Sequence, residues 1–232
     1  MKRIFITGAS RGIGLELTRQ CLQRGDQVFA SCRQPDSASD LQKLKSEYPN
    51  RLAILQLDVT DQAEVEAVAE QVAADADGLE ILINNAGILQ SGEQVGNLKV
   101  DTLLNVLHTN SVGPVMVAQS LLDLLKAGKN AKIINVTSQL GSISRKRSGG
   151  RYSYDGSKAA LNMFSRTLAF DVIDDGIITI VIHPGWVRTD MGGSGGSIGV
   201  EESANGILNV TANLTKKDMG RFLQWDGAEL PW

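Results

Sequence analysis

"ITGASRGIGLEL", residues 6–17, runs an apolar strand pattern straight into glycines and then into a helix-forming stretch. Glycines at positions 8, 12 and 14 permit a tight turn, let backbone approach a ligand closely, and leave helix N–H groups free to face negative charge. A glycine-rich turn by itself says little. Here strand, spacing and helix agree, and in that context the pattern marks a dinucleotide pyrophosphate site. The turn contributes Gly8, Ser10, Arg11, Gly12, Ile13 and Gly14 as candidate cofactor-binding residues.

Outward from this turn, short runs rich in Ile, Val and Leu alternate with longer amphipathic stretches. Strands are predicted at 3–7, 27–33, 52–58, 79–85, 132–138 and 178–184, apolar throughout, as parallel strands buried on both faces should be. Helices fit between them at 12–24, 39–47, 61–74, 100–127 and 154–173, and Asp61 with Glu64 has capping-box spacing at the start of the third. The alternation predicts an α/β fold, a Rossmann-type doubly wound parallel β-sheet flanked by helices in three layers. No solenoid-period repeat and no dividing linker interrupts the 232 residues, which predicts a single domain over 1–232. The glycine-rich "GGSGGSIG" at 192–199 reads as a loop before a last helix near 202–213, so that 190–213 forms a short substrate loop.

Composition narrows the function. A net charge of -3 argues against nucleic acid as the main partner, because phosphate binding draws on clustered excess Lys and Arg. The one basic cluster, "RKRSGGR" at 145–151, reads as a solvated loop, with anionic ligands as its alternative. Cys21 and Cys32 are predicted to be free thiols in a reducing compartment, and nothing has metal-ligand spacing. The first ten residues lack the apolar core of a signal peptide, and no run reaches the roughly 18 apolar residues of a membrane span, so a cytoplasmic protein without a membrane partner is expected.

The end of the second predicted strand, "SCRQPD", distinguishes the nucleotides. An acid there hydrogen-bonds the ribose 2′-OH of NAD, whereas arginine suits the 2′-phosphate of NADP. Cys32 stands at the acid position and Arg33 follows it, while Asp36 lies behind Pro35 and is expected to face solvent. Arg11 supplies a second fork nearby, so NADP(H) is the predicted cofactor.

Taken in order, Thr7 with Gly8, Gly12 and Gly14; Asp58-Val59; "NNAG" at 84–87; Asn110; Ser138; Tyr154 with Lys158; and Pro184-Gly185 with Thr189 resemble the motifs of the short-chain dehydrogenase/reductase family. "RYSYDGSKAALNM", "PGWVRTDMGG" and "QWDGAELPW" look most like its C-factor/sniffer branch of small carbonyl reductases. The resemblance implies that Asp58 and Val59 approach the adenine, that Asn84, Ala86 and Gly87 pack along the cofactor, and that Val187 and Thr189 contact the nicotinamide amide.

Two tyrosines, Tyr152 and Tyr154, compete for a chemical role. Residues four apart share a helix face, and only Tyr154 has a lysine, Lys158, at that spacing. A nearby ammonium favours the phenolate, so the Tyr154 pKa is expected to fall toward neutrality with help from a positive nicotinamide. Tyr154 is the predicted proton donor and Tyr152 a pocket wall. Ser138 ends a strand at the carboxyl edge of the sheet, where its hydroxyl can hold a substrate carbonyl. Pro114 lacks the N–H that would bond the Asn110 carbonyl, so the helix should kink there, and the resemblance implies a relay water on that carbonyl. His108 and His183 read as structural, and no Gly-x-Ser-x-Gly elbow surrounds Ser138.

The combined expectation is an NADPH-dependent reductase of a small aldehyde or ketone, with catalytic residues Asn110, Ser138, Tyr154 and Lys158. The alternative is an NADP-binding sensor of the same fold without turnover. Apolar faces on 100–127 and 154–173 allow a homo-oligomer, as does the family resemblance.

Overall fold

In the computed structural model, which describes residues 1–232, seven parallel strands lie in the order β3-β2-β1-β4-β5-β6-β7. The strands are β1 (Arg3–Thr7), β2 (Gln27–Cys32), β3 (Leu52–Gln56), β4 (Ile81–Asn84), β5 (Lys132–Val136), β6 (Ile178–His183) and β7 (Phe222–Gln224). The helices between them are α1 (Gly12–Gln23), α2 (Ser39–Glu47), α3 (Gln62–Asp75), α4 (Val100–Leu107), α5 (Gly113–Ser120), α6 (Leu122–Ala127), α7 (Tyr152–Asp171) and α8 (Val200–Asn213). The chain leaves β1 toward β2 on one side and returns to β4 on the other, so a crevice opens where the direction reverses.

Side chains alternate across each strand and build two cores. Ile4, Ile6, Val28, Ala30, Ile81 and Ile83 face α1, α2 and α8 through Leu17, Leu41 and Ile207. Phe5, Phe29, Leu82 and Ile133 face the opposite layer, with Val68 of α3, Val117 of α5 and Leu168 beside Val172 at the end of α7. Both faces are covered, which is why these strands read as unbroken apolar runs.

The structure departs from the sequence expectation at several places. The helix expected over 100–127 is broken: α4 passes into a π-helical turn, His108–Val112, before α5 and α6. Its cause is Pro114, whose missing N–H forces the ladder to reset, and the Gly113 N–H reaches back five residues to the His108 carbonyl. The substrate loop expected over 190–213 is irregular only to Gly199, since α8 begins at Val200. Only half of the capping box forms on α3: Asp61 accepts the Glu64 N–H at 3.1 Å, while the Glu64 carboxylate turns back to the Asp58 N–H. β7 was not legible in the sequence, being three residues long.

Apolar Val100 and Leu104 on α4, and Met163, Phe164 and Phe170 on α7, point outward. Both cysteines are free and buried, and no helix is long and apolar enough to cross a membrane. Phe5 is fully buried at the centre of the sheet. Phe5→Ala should therefore lower the unfolding free energy by about 3–5 kcal/mol in a denaturant titration, through lost burial and the cavity left behind.

Candidate active site

The cleft at the carboxyl edge encloses about 380 Å³. Of the residues predicted for the cofactor, Gly8, Ser10, Arg11, Gly12, Ile13, Arg33, Asp58, Val59, Ala86, Gly87, Tyr154, Lys158, Pro184 and Thr189 line it. Two glycines are required by close approach rather than by exposure. Gly8 has φ +66°, and a Cβ there would stand 2.8 Å from the Ala86 Cα. Gly14 lies behind the cleft, where a Cβ would overlap the Gly8 carbonyl and come within 2.5 Å of the Asn85 amide. Glycine is what allows the turn to fold under β4.

Asn84, expected along the cofactor, is turned away. Its amide donates to the Pro114 carbonyl at 3.0 Å and to Asn135 Oδ1 at 2.8 Å, deep between β4, β5 and α5. Its neighbour Asn85, which sequence reasoning passed over, lines the cleft and donates to the Thr7 and Gly8 carbonyls at 3.0 and 3.1 Å. Gly185 and Val187 also lie off the cleft. A Cβ on Gly185 would meet Ile198 and Trp225, and buried Val187 pairs with Ile198. They shape the loop that carries Thr189, whose hydroxyl accepts the Gly192 N–H at 3.0 Å.

At the adenosine end, Cys32 and Arg33 line the wall where an acid would otherwise sit. Asp36 is exposed and outside the cleft, as expected. Arg11 reaches across the mouth to Asp190 at 3.4 Å, a pairing between two exposed side chains that the sequence did not suggest. Asp58 turns its carboxylate onto the Thr60 hydroxyl and N–H at 2.7 and 2.9 Å. Burial raises its pKa, but these hydrogen bonds and the Arg33 charge outweigh it, and the net shift is downward.

At the other end, the Lys158 ammonium is buried below Tyr154, 2.9 Å from the Val136 carbonyl and 5.9 Å from the phenol ring centre. A Cβ on Gly87 would lie 3.7 Å from that ammonium and 3.2 Å from Asn110 Oδ1, so β4, the π turn and α7 converge here. Asn110 is fully buried and does not line the cleft. Its side chain grips the Ile88 backbone, accepting from N–H and donating to C=O at 2.8 Å each, and also donates to Ser157 Oγ at 3.0 Å. Ser157 in turn donates to the Tyr154 carbonyl at 2.7 Å. Ser138 is buried and, like Asn110, does not line the cleft; its hydroxyl accepts the Leu140 N–H at 3.1 Å, capping the next turn, and lies near enough to Tyr154 to lower its pKa. Tyr152 is half-exposed and outside the cleft, so it is not a wall of it.

The expected depression of the Tyr154 pKa is absent from the protein alone. Burial pushes it up to about 12, against a smaller lowering by the Ser138 hydrogen bond. Burial likewise pushes Lys158 down to about 8. Below pH 8 both folded and unfolded chains hold the Lys158 proton; between about 8 and 10.5 only the unfolded chain does, so folding stability gains with rising pH. The wild type should gain about 3 kcal/mol across that window relative to Lys158→Met, measured by denaturant titration at fixed pH steps.

Residues 2–197 match the model of the short chain dehydrogenase family. The NADPH-bound carbonyl reductase from chicken fatty liver superimposes with a TM-score of 0.94 at 38% identity, covering 100% of this chain and 99% of that one. The carbonyl reductase Sniffer of D. melanogaster does so with a TM-score of 0.96 at 34% identity, covering 100% of both. A 1-hydroxy-2-glutathionyl-2-methyl-3-butene dehydrogenase of Rhodococcus is 34% identical over 100% of both chains. With its glycine turn, its Ser138–Tyr154 contact and the buried Lys158 one helical turn on, the chain belongs to the short-chain dehydrogenase/reductase family of oxidoreductases.

Proposed function

We propose that the chain is an NADPH-dependent carbonyl reductase whose proton donor is Tyr154. The observation that carries this reading is a buried phenol lining the cleft, with Ser138 beside it and the Lys158 ammonium 5.9 Å from its ring, held protonated at neutral pH by burial. A protonated phenol is the form that reduction needs, because the alkoxide developing on the substrate must receive a proton.

The residues present fit an NADP cofactor. The glycine turn presents bare backbone to the cleft at Gly8 and Gly12, and Arg33 after β2, where no acid holds the ribose position, offers a guanidinium fork, with Arg11, paired to exposed Asp190, as a second across the mouth. When bound, the cofactor supplies the hydride. Asn85 braces the glycine turn, and Asp58, Val59, Ala86, Gly87, Pro184 and Thr189, which line the cleft, would hold the cofactor there. Ser138 donates to the carbonyl oxygen and Tyr154 delivers the proton, so the charge of the reduced oxygen meets preorganised donors. Lys158 holds positive charge beneath the phenol, and Asn110 fixes both Ile88 and, through Ser157, the Tyr154 backbone.

The basic 145–151 segment supports anionic substrates. Lys146 is taken by Asp155, and Arg147 folds onto the Ser144 and Lys146 carbonyls. Arg145 and Arg151 stay exposed, and neither is among the ion-paired residues. The glutathione conjugate named for the Rhodococcus relative is an anion of this kind. The outward apolar residues of α4 and α7 support pairing with a second copy of the chain.

NADPH oxidation over a panel of aldehydes and ketones tests the reading. Tyr154→Phe should lose roughly 100-fold or more of turnover while still binding NADPH. NADPH bound without turnover of any carbonyl by the wild type would favour a sensor instead. Arg33→Ala should narrow the preference for NADPH over NADH by about 10- to 100-fold, the loss of one charge-assisted hydrogen bond to a phosphate. Among matched neutral and carboxylated carbonyls, the carboxylated member should have the higher kcat/KM, by a margin that shrinks as salt is added. Equal values would remove the anionic preference.

A further inference from the structure

Two side chains outside the cleft grip the first turn of α7 from different segments. Glu93 belongs to the irregular connection between β4 and α4 and is only 8% exposed. Its Oε2 accepts the Ser153 N–H at 2.9 Å. Ser153 is the second residue of α7, so Glu93 satisfies an N–H that a helix start leaves unpaired and sets a negative charge at the positive end of the helix. Lys146, from the basic 145–151 segment, pairs with Asp155, which is 7% exposed. The two contacts fall on the residues before and after Tyr154.

The helix needs such help. Arg151 at its N-cap makes no side-chain cap and has φ +55°, in the left-handed region that arginine rarely enters. Gly150 before it has φ +79°, and its carbonyl accepts from the same Lys146 ammonium at 3.3 Å. Strain of this kind persists only where surrounding contacts over-determine it. Burying a carboxylate also costs free energy unless it is hydrogen-bonded, so the position of Glu93 is specified rather than incidental. The connection that carries Glu93 is fixed at its other end by Asn110, which grips Ile88 and reaches α7 through Ser157.

We propose that Glu93 and Lys146 are positioning residues, a clamp on the first turn of α7 that holds the Tyr154 ring at its angle into the cleft. The inference rests on Tyr154 being the proton donor. Neither clamp residue lines the cleft, so both act through the Ser153 backbone and Asp155.

The test compares Glu93→Ala and Glu93→Gln, Lys146→Met and Lys146→Arg, with Tyr154→Phe in the same series. Small misplacements of a reacting group cost rate steeply, so the Ala and Met variants should lower kcat by roughly ten-fold or more while NADPH KM stays within about two-fold. The Gln and Arg variants, which keep an acceptor and a cation, should recover most of it. In Glu93→Ala, amide hydrogen exchange should speed up in 88–99 and the first turn of α7 and stay unchanged from Lys158 onward. Unchanged kcat, or a fall in kcat matched by an equal loss of NADPH binding, overturns the clamp. Should Glu93→Ala fail to fold, Lys146→Met is judged by the same criteria. Full activity in Tyr154→Phe would overturn the proton donor; loss there beside full activity in all clamp variants would overturn the clamp alone.

Discussion

The site depends on one tie at the point where the sheet reverses direction. Thr7 Oγ1 at the end of β1 accepts the N–H groups of Asn85 and Ala86 just past β4, each at 3.0 Å. The Asn85 amide answers by donating to the Thr7 and Gly8 carbonyls. Adjacent parallel strands rotate relative to one another and would diverge at their ends. Here four hydrogen bonds hold the two ends together past the last ladder pair, Ile6 with Ile83. The glycine turn and the β4 exit become one surface. The same tie explains why Gly8 tolerates no side chain: a Cβ there would be driven into Ala86.

The proton-transfer end is fixed by polar rather than apolar contacts. Asn84 donates to Asn135, Asn135 to Ser165 at 2.8 Å, and Ser165 to the Leu161 carbonyl at 2.6 Å, a chain from β4 through β5 into α7. Thr137 donates to Asn162 at 2.7 Å one turn closer to Tyr154. An apolar face alone would tolerate a slide of the helix along the sheet. A buried chain of donors, each of them paired, fixes one register, because any slip leaves those donors unpaired in low dielectric. The buried polar face of α7, with Ser153, Ser157, Lys158, Asn162 and Ser165, is a locating device for Tyr154.

Much of this was legible in the sequence, and the illegible parts share a cause. β1 falls on the predicted residues because its apolar run is bounded by a polar start and a glycine turn. β5, predicted through residue 138, stops at Val136 since Thr137 and Ser138 spend their side chains on α7 and on a turn. The Pro114 disturbance was predictable from its missing N–H, but not its resolution as a π turn, whose Asn110 and Ser111 side chains hydrogen-bond Ser157 of α7. Between Asn84 and Asn85, motif likeness could not say which faces the cleft; that is set by where the strand ends. Glu93, Lys146 and Asp190 were missed because their partners lie 60, 9 and 179 residues away and no local spacing marks them.

The lysine four residues after the tyrosine invited the expectation of an acidified phenol. Burial reverses it. The medium that would let the Lys158 charge act strongly on Tyr154 also penalises both charged forms, holding the phenol near pKa 12 and the ammonium near 8. Each factor of ten in an ionisation constant is about 1.4 kcal/mol, so bringing this phenol down to neutrality takes about 7 kcal/mol of added stabilisation of its anion. Reduction makes no such demand, since it begins with the phenol protonated. Oxidation does, and must find that energy in a further positive charge brought into the same cleft. The protein by itself is therefore biased toward giving a proton rather than taking one, and the bias comes from the depth of α7 in the fold as much as from the Tyr154–Lys158 spacing.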